Sequence, residues 1–308
     1  MSSGVAWAAF GLGALVVLAI DLALNGRKAQ APSQREALGW VALWVSLSLG
    51  LGAALWRVRG ADAGLQFFSC YLVEYALSVD NLFVFLLLFE AFRVSPEHRR
   101  RLLLWGVLAA VLLRGFLLFP GVALVHHFKW LLVPFGGFLL FSAVRLVLQP
   151  QARELVPREN AVVRAARRFL PIAQQTSPKG FALLVREDGR WRFTPLFLVL
   201  VMVETTDLLF AFDSIPAVLG MSQDAFIVYT SNVCAVVGLR SLFSVLEGLM
   251  GRLAYLKPAL AAVLGFVGAK MVVEPWLHLR LWVSLLVIAS VLSVAVLASV
   301  VRPPQEKS

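Results

Sequence analysis

Charge is scarce in this chain: 15 % of its 308 residues are Asp, Glu, Lys or Arg, against 60 % hydrophobic. That is more apolar surface than one water-soluble core of this length buries, so the chain reads as a polytopic membrane protein rather than a soluble domain. Cysteine is scarcer still. Cys70 and Cys234 stand in apolar runs with no CxxC partner, which excludes a disulfide framework and a zinc knuckle; Cys70, one helical turn before Glu74, reads as a packing residue. No nucleotide-binding loop, GxGD or HExxH occurs, so ATP-driven pumping and the best-known intramembrane and zinc hydrolase chemistries lack their signatures. The first apolar run begins at Val5 with no Lys or Arg ahead of it and carries Asp21. Lacking the basic region and cleavage pattern of a secretory signal, it is expected to be a retained span.

What the chain does have is runs of about 20 apolar residues, the length that crosses a bilayer as a helix. Nine are expected to be spans: 5–24, 38–56, 65–92, 102–125, 128–149, 195–219, 224–248, 256–275 and 279–301. The turn around His126 and His127, between the fourth and fifth, is very short, and both histidines read as interfacial. With the N-terminus outside, the inner loops hold 20 Lys and Arg, nine of them between 150 and 194, and the outer loops hold four, Arg57, Arg59, Lys129 and Arg280. The bias orients the chain N-out and C-in, in a cell's inner (plasma) membrane. The basic loop 150–194 is expected to meet anionic lipid headgroups rather than nucleic acid. Within it 164–170 reads as a short surface helix, and 181–194 as a β-hairpin turning at Asp188-Gly189.

Two stretches place five acids well inside spans. The first, EYALSVDN, holds Glu74, Ser78, Asp80 and Asn81; the second, ETTDLLFAFDSIPA, holds Glu204, Thr205, Thr206, Asp207, Asp213, Ser214 and Pro216. Superposed, Glu74 falls on Asp207, Asp80 on Asp213 and Asn81 on Ser214. The VLLR ending at Arg114 likewise matches the VGLR ending at Arg240, and the residues around Arg145 match those around Lys270. Three spans thus repeat as three, and an odd number inverts the copy. The expected fold is an all-α transmembrane helix bundle of about nine spans with two inverted three-helix repeats, an arrangement that puts a substrate site where the copies meet. The corresponding division is 1–60 for two N-terminal helices, 61–150 for the first repeat, 151–194 for the basic loop, 195–278 for the second repeat and 279–308 for the last helix and tail.

Five carboxylates within spans would cost on the order of 12–18 kcal/mol if each faced lipid, so they must face one another, a partner charge or water. Arg114 and Arg240 are the available buried partners, and two positive charges leave about three negative ones unbalanced. Hard oxygens from carboxylates, Asn81, Ser78, Ser214, Thr205 and Thr206 suit magnesium, manganese or calcium better than copper or zinc. On a regular helix Glu74 and Asp80 point about 120° apart. Either the acids of one stretch serve different neighbours, or the helix unwinds; Pro216 favours unwinding in the sixth span, since it cannot donate to Phe212 O. Asp21, Glu247 and Glu274, near span ends, read as structural, and Glu90 as solvated.

These two motifs resemble the TerC family of integral membrane proteins, named for tellurium resistance, and the likeness extends through YTSN (229–232, ending at Asn232) and GLR (238–240) over roughly residues 65–300. The resemblance implies a place among LysE-like small-solute and metal exporters, several of them associated with manganese efflux and with metal supply to exported proteins. Its motif positions would be Glu74, Asp80, Asn81, Glu204, Asp207 and Asp213. The expectation is a divalent-cation exporter, manganese(II) first, with no permanently bound cofactor, proton exchange through Glu74 or Glu204, and membrane lipid as its surroundings. Its rivals are an intramembrane enzyme using paired acids and a non-transporting scaffold for other membrane proteins. A reporter fused to the C-terminus is expected to signal from the cytoplasmic side, and an external signal would reverse the charge-bias orientation.

Overall fold

The computed structural model describes residues 3–25, 33–148, 171–173, 181–187, 189–248, 255–274, 276 and 279–301; the side chains of Asp21, Asp80 and Asp213 are outside that description. Its helices are α1 (Ser3–Asn25), α2 (Gln34–Arg59), α3 (Ala61–Ala91), α4 (Pro96–His127), α5 (Leu132–Leu148), α6 (Pro195–Leu219), α7 (Ala225–Val237), α8 (Leu239–Gly248), α9 (Leu256–Val273) and α10 (Leu281–Val301). Among the described residues six helical stretches are long and apolar enough to cross a membrane: α2, α3, α4, α6, α7 with α8, and α10; the apolar segments 4–14, 132–148 and 258–273 are shorter. The nine stretches expected to span are all helical, and one 3-10 turn, Lys129–Leu131, separates α4 from α5.

Local chemistry sets the helix ends. Ser33 and Glu36 form a reciprocal capping box on α2, Asp224 Oδ1 accepts from the amides of Phe226 and Ile227 at the start of α7, and Pro96 and Pro195 occupy first-turn positions of α4 and α6, where a missing N–H costs nothing. Gly60, at φ 97°, lets α2 turn directly into α3. The hairpin forms as expected: β1 (Leu184–Glu187) pairs antiparallel with β2 (Arg190–Phe193), Glu187 facing Arg190 across the turn, with Gly189 at φ 76°. The expected surface helix at 164–170 lies outside the described residues.

One expectation is corrected. The sixth span does not unwind: α6 runs unbroken through Pro216 to Leu219, and α3 is continuous across Glu74 to Asn81. Pro216 lies in the last turn, so its missing N–H removes a single ladder bond, and Gly220 N closes the helix by donating to Pro216 O at 2.9 Å. In the seventh span α7 passes into α8 at Gly238, whose backbone stays near helical at φ −72° and ψ −13° and where a Cβ would meet Trp44 Cβ at 3.4 Å.

Among the described residues the interior holds three apolar clusters, one at each end of the bundle and a smaller third that joins Leu55 of α2, Phe67 and Tyr71 of α3 and Ile227 of α7. The first joins Cys70–Leu77 of α3, Leu118–Val125 of α4 and Ala217–Met221 at the end of α6 to α5, α9 and α10. The second joins Leu82–Phe89 of α3, Leu102–Ala110 of α4 and Leu196–Val203 of α6 to Val236 and α8. Helices α3 and α6 therefore run antiparallel. The most apolar part of α3 is 80 % buried, against 22 % for α2 and α10, so α3 is the axis and the latter two are peripheral. Large apolar side chains such as Leu112, Phe116, Phe141, Leu209 and Phe212 are exposed on the flanks, a surface suited to lipid and not to water.

Among the larger helix contacts α5 packs most extensively on α9, α3 packs on α7, α2, α10 and α6, and α4 packs on α6 and α7. Helices α5 and α9 meet backbone to backbone. A Cβ on Gly136 would sit 2.7 Å from Gly268 O, and one on Gly268 would sit 2.7 Å from Gly136 O, the close approach that small residues allow between membrane helices. Gly268→Val is expected to cost about 1–3 kcal/mol by overpacking, read as a lowered thermal midpoint in detergent; an unchanged midpoint would mean that this contact is not made.

A candidate cation site between the two cores

In the gap between the cores each of three helices carries a buried polar residue: Arg114 on α4 between Ala110 and Leu118, Asp207 on α6 between Val203 and Ala217, and Asn232 on α7 between Val228 and Val236. Glu74 on α3 completes the layer. All four residues are at most 4 % exposed, so the bundle holds ionisable groups at its centre and must satisfy them internally.

Arg114 joins them. Its Nη1 ion-pairs with Glu74 Oε1 and donates to Asn232 Oδ1 at 3.4 Å, while Nη2 donates to Asp207 Oδ1 at 3.2 Å. The planar guanidinium fork spans partners on three other helices, which a point-like ammonium could not do at once. Glu74 and Asp207, the residues that superpose between the two motifs, are thus brought onto one arginine.

Several buried polar atoms in and beside this layer have no partner among the described residues: Glu74 Oε2, Asp207 Oδ2, Asn232 Nδ2, Arg114 Nε, Ser78 Oγ, Ser214 Oγ and Glu204 Oε1. Glu204 stands one turn before Asp207, within electrostatic reach of it, and its Oε1 faces Gly106 on α4, where a Cβ would lie 3.5 Å away. Native interiors leave few such groups unmatched, so a concentration of them marks a place where water or an ion belongs. Thr205 and Thr206 contribute less: each hydroxyl donates back to its own helix, to Val201 O and Met202 O, at 2.7 Å. Asn81 is buried on α3, and Asp80 and Asp213 are placed only as helical backbone. Among the described residues no three His, Cys, Asp or Glu side chains converge as a ready-made metal cage.

The remaining expected residues sit elsewhere. Arg240 lies in the first turn of α8, in electrostatic reach of Arg100 and half-buried. Lys270 is buried and donates to Gly220 O at 3.2 Å, a cation at the C-terminal end of α6. Glu247 pairs with Arg99 at 2.6 Å, as its structural reading expected, Glu90 is exposed, and Cys70 packs with Sγ 3.8 Å from Val218 O. Sequence reasoning missed the polar closures at the opposite end from Arg99: Arg59 on Asp224 at 2.5 Å and Ser222 on Gln66 at 2.6 Å. Their partners lie 165 and 156 residues apart, and no local pattern connects them.

A helix bundle with a buried acid–arginine layer between two apolar cores defines an integral membrane protein whose polar chemistry is internal. Residues 59–307 match the model of the integral membrane protein TerC family, and the chain belongs to that family. It is 45 % identical over 296 residues to a protein of Myxococcus xanthus described as an uncharacterized membrane protein, covering 96 % of this chain and 92 % of that one. It is 40 % identical over 297 residues to Alx of Salmonella typhi, described as a candidate membrane-bound redox modulator, with 94 % and 91 % coverage; the Escherichia coli K12 protein of the same name is 39 % identical over 295 residues, with 93 % and 91 % coverage. No solved structure matches.

Removing one partner of a buried ion pair strands the other charge. Glu74→Ala is expected to cost about 3–5 kcal/mol, measured as loss of thermal stability or of folded yield in detergent, whereas Glu90→Ala should change neither.

Proposed function

We propose that this protein exports a divalent cation, manganese(II) in the first place, across a cell's inner membrane by alternating access, and that it performs no covalent chemistry. The observation that carries the reading is the imbalance of the buried layer. Among the described residues three carboxylates gather here with one ion-pairing cation, Arg114, which takes Glu74 and Asp207 and leaves Glu204 out, and oxygens of all three, with Ser78 and Ser214, lack partners. Unsatisfied hard oxygens between two dry cores favour a small divalent ion over a soft metal. Asp80, Asn81 and Asp213 would add oxygens from the same two motifs.

The paired helix contacts support two inverted three-helix repeats. If α3, α4 and α5 correspond to α6, α7 and α9, then exchanging the repeats turns the α3–α7 contact into the α6–α4 contact and leaves the α5–α9 contact unchanged. A site at such an interface opens to either side as one repeat rocks on the other. Moving a +2 charge outward costs about 4.6 kcal/mol per 100 mV, and return of protons through Glu74 or Glu204 would offset it. The redox description given to Alx extends to this chain through a redox-active cargo more directly than through thiols, since Cys70 is buried and neither Cys70 nor Cys234 forms a disulfide.

Reconstituted in proteoliposomes, the protein is expected to move Mn2+, at a rate that responds to an imposed proton gradient. Asp80→Asn with Asp213→Asn should abolish movement while the chain still inserts. Transport that survives this pair, or no transport of any divalent ion by the parent protein, would sink the proposal; a scaffold would keep its phenotype in the double variant.

A further inference from the structure

We propose that Arg114 sets the selectivity of this site: it is a tethered monovalent cation that occupies the acid pair when no cargo is bound, and that a divalent ion displaces while sodium or potassium does not. The inference rests on the export reading above.

The geometry argues for a displaceable contact rather than a fixed strut. Arg114 is 1 % exposed, yet its Nε, the second oxygen of Asp207 and the Nδ2 of Asn232 have no partners among the described residues. A buried charge cluster held purely for stability gains from full satisfaction, and a partly satisfied one is costly. The contacts to Asp207 and Asn232, at 3.2 and 3.4 Å, lie at or beyond the long end of the normal range. Releasing those two alone, with Glu74 still paired, would free both oxygens of Asp207 and Oδ1 of Asn232 beside Glu204.

Competition then decides which ions enter. A side chain tethered on α4 acts at an effective concentration of roughly millimolar or more, and its fork is already oriented to the carboxylates. Sodium or potassium brings the same single charge, must shed water and has no tether, so the exchange yields it nothing. A divalent ion carries twice the charge at the same distance, which doubles its Coulomb attraction to the acids, and it accepts the additional neutral oxygens that a guanidinium, being all donor, cannot use.

The experiment is equilibrium binding of 54Mn2+ to the purified full chain, with sodium or potassium chloride raised against choline chloride at constant ionic strength, for the parent protein, Arg114→Gln and Arg114→Lys. In the parent, sodium and choline are expected to be equivalent. In Arg114→Gln, Mn2+ should bind on the order of tenfold tighter, the worth of a released charged hydrogen bond, and sodium and potassium should now compete; Arg114→Lys, which keeps the charge and loses the fork, should fall between. Variants that bind Mn2+ with unchanged affinity and no monovalent competition would make Arg114 a strut and overturn this inference alone. Should Arg114→Gln fail to fold, Arg114→Lys decides by the same comparison. Absence of Mn2+ binding in all three proteins would overturn the export reading and this inference with it.

Discussion

The guanidinium of Arg114 is the point at which the rest of the bundle becomes obligatory. A charge buried between two apolar cores needs partners close enough to offset its lost hydration, and those partners, Glu74, Asp207 and Asn232, come from three different helices. Four helices are therefore held in register at one level. The apolar residues on either side, Ala110 and Leu118 on α4 and their counterparts on α6 and α7, give the cluster low-polarity surroundings, which strengthen the electrostatics inside it.

The two ends of the bundle are closed by different means. At one, Arg59 pairs with Asp224 and Ser222 with Gln66; at the other, Arg99 pairs with Glu247. Each closure ties an element of residues 33–148 to one of 189–248, and all of them include a partly exposed side chain, where water lowers the cost of separating the partners. The central cluster is fully enclosed and much costlier to open.

The helical stretches, the tight turn at Gly189 and the capping residues were legible in the sequence because each depends on a few consecutive side chains and one period. The motif alignment was legible for the same reason, and it placed Glu74 on Asp207 before any contact was known. The local inference from Pro216 went astray: a proline weakens one ladder bond, but whether a helix opens depends on what packs around it, and α6 stays continuous to Leu219. Arg114 and Arg240 looked equivalent in sequence, yet one bridges the acids and the other lies near Arg100 at an end of the bundle.

Composition and pattern alone determined that this chain is a membrane helix bundle and which acidic residues must avoid lipid, because hydropathy and the cost of an ionised side chain in hydrocarbon are properties of short segments. The tertiary structure decided how those acids are answered. A guanidinium reaches only a few ångströms, so the choice between Arg114 and Arg240, and the number of carboxylate oxygens left without partners, depends on which helices cross at that depth.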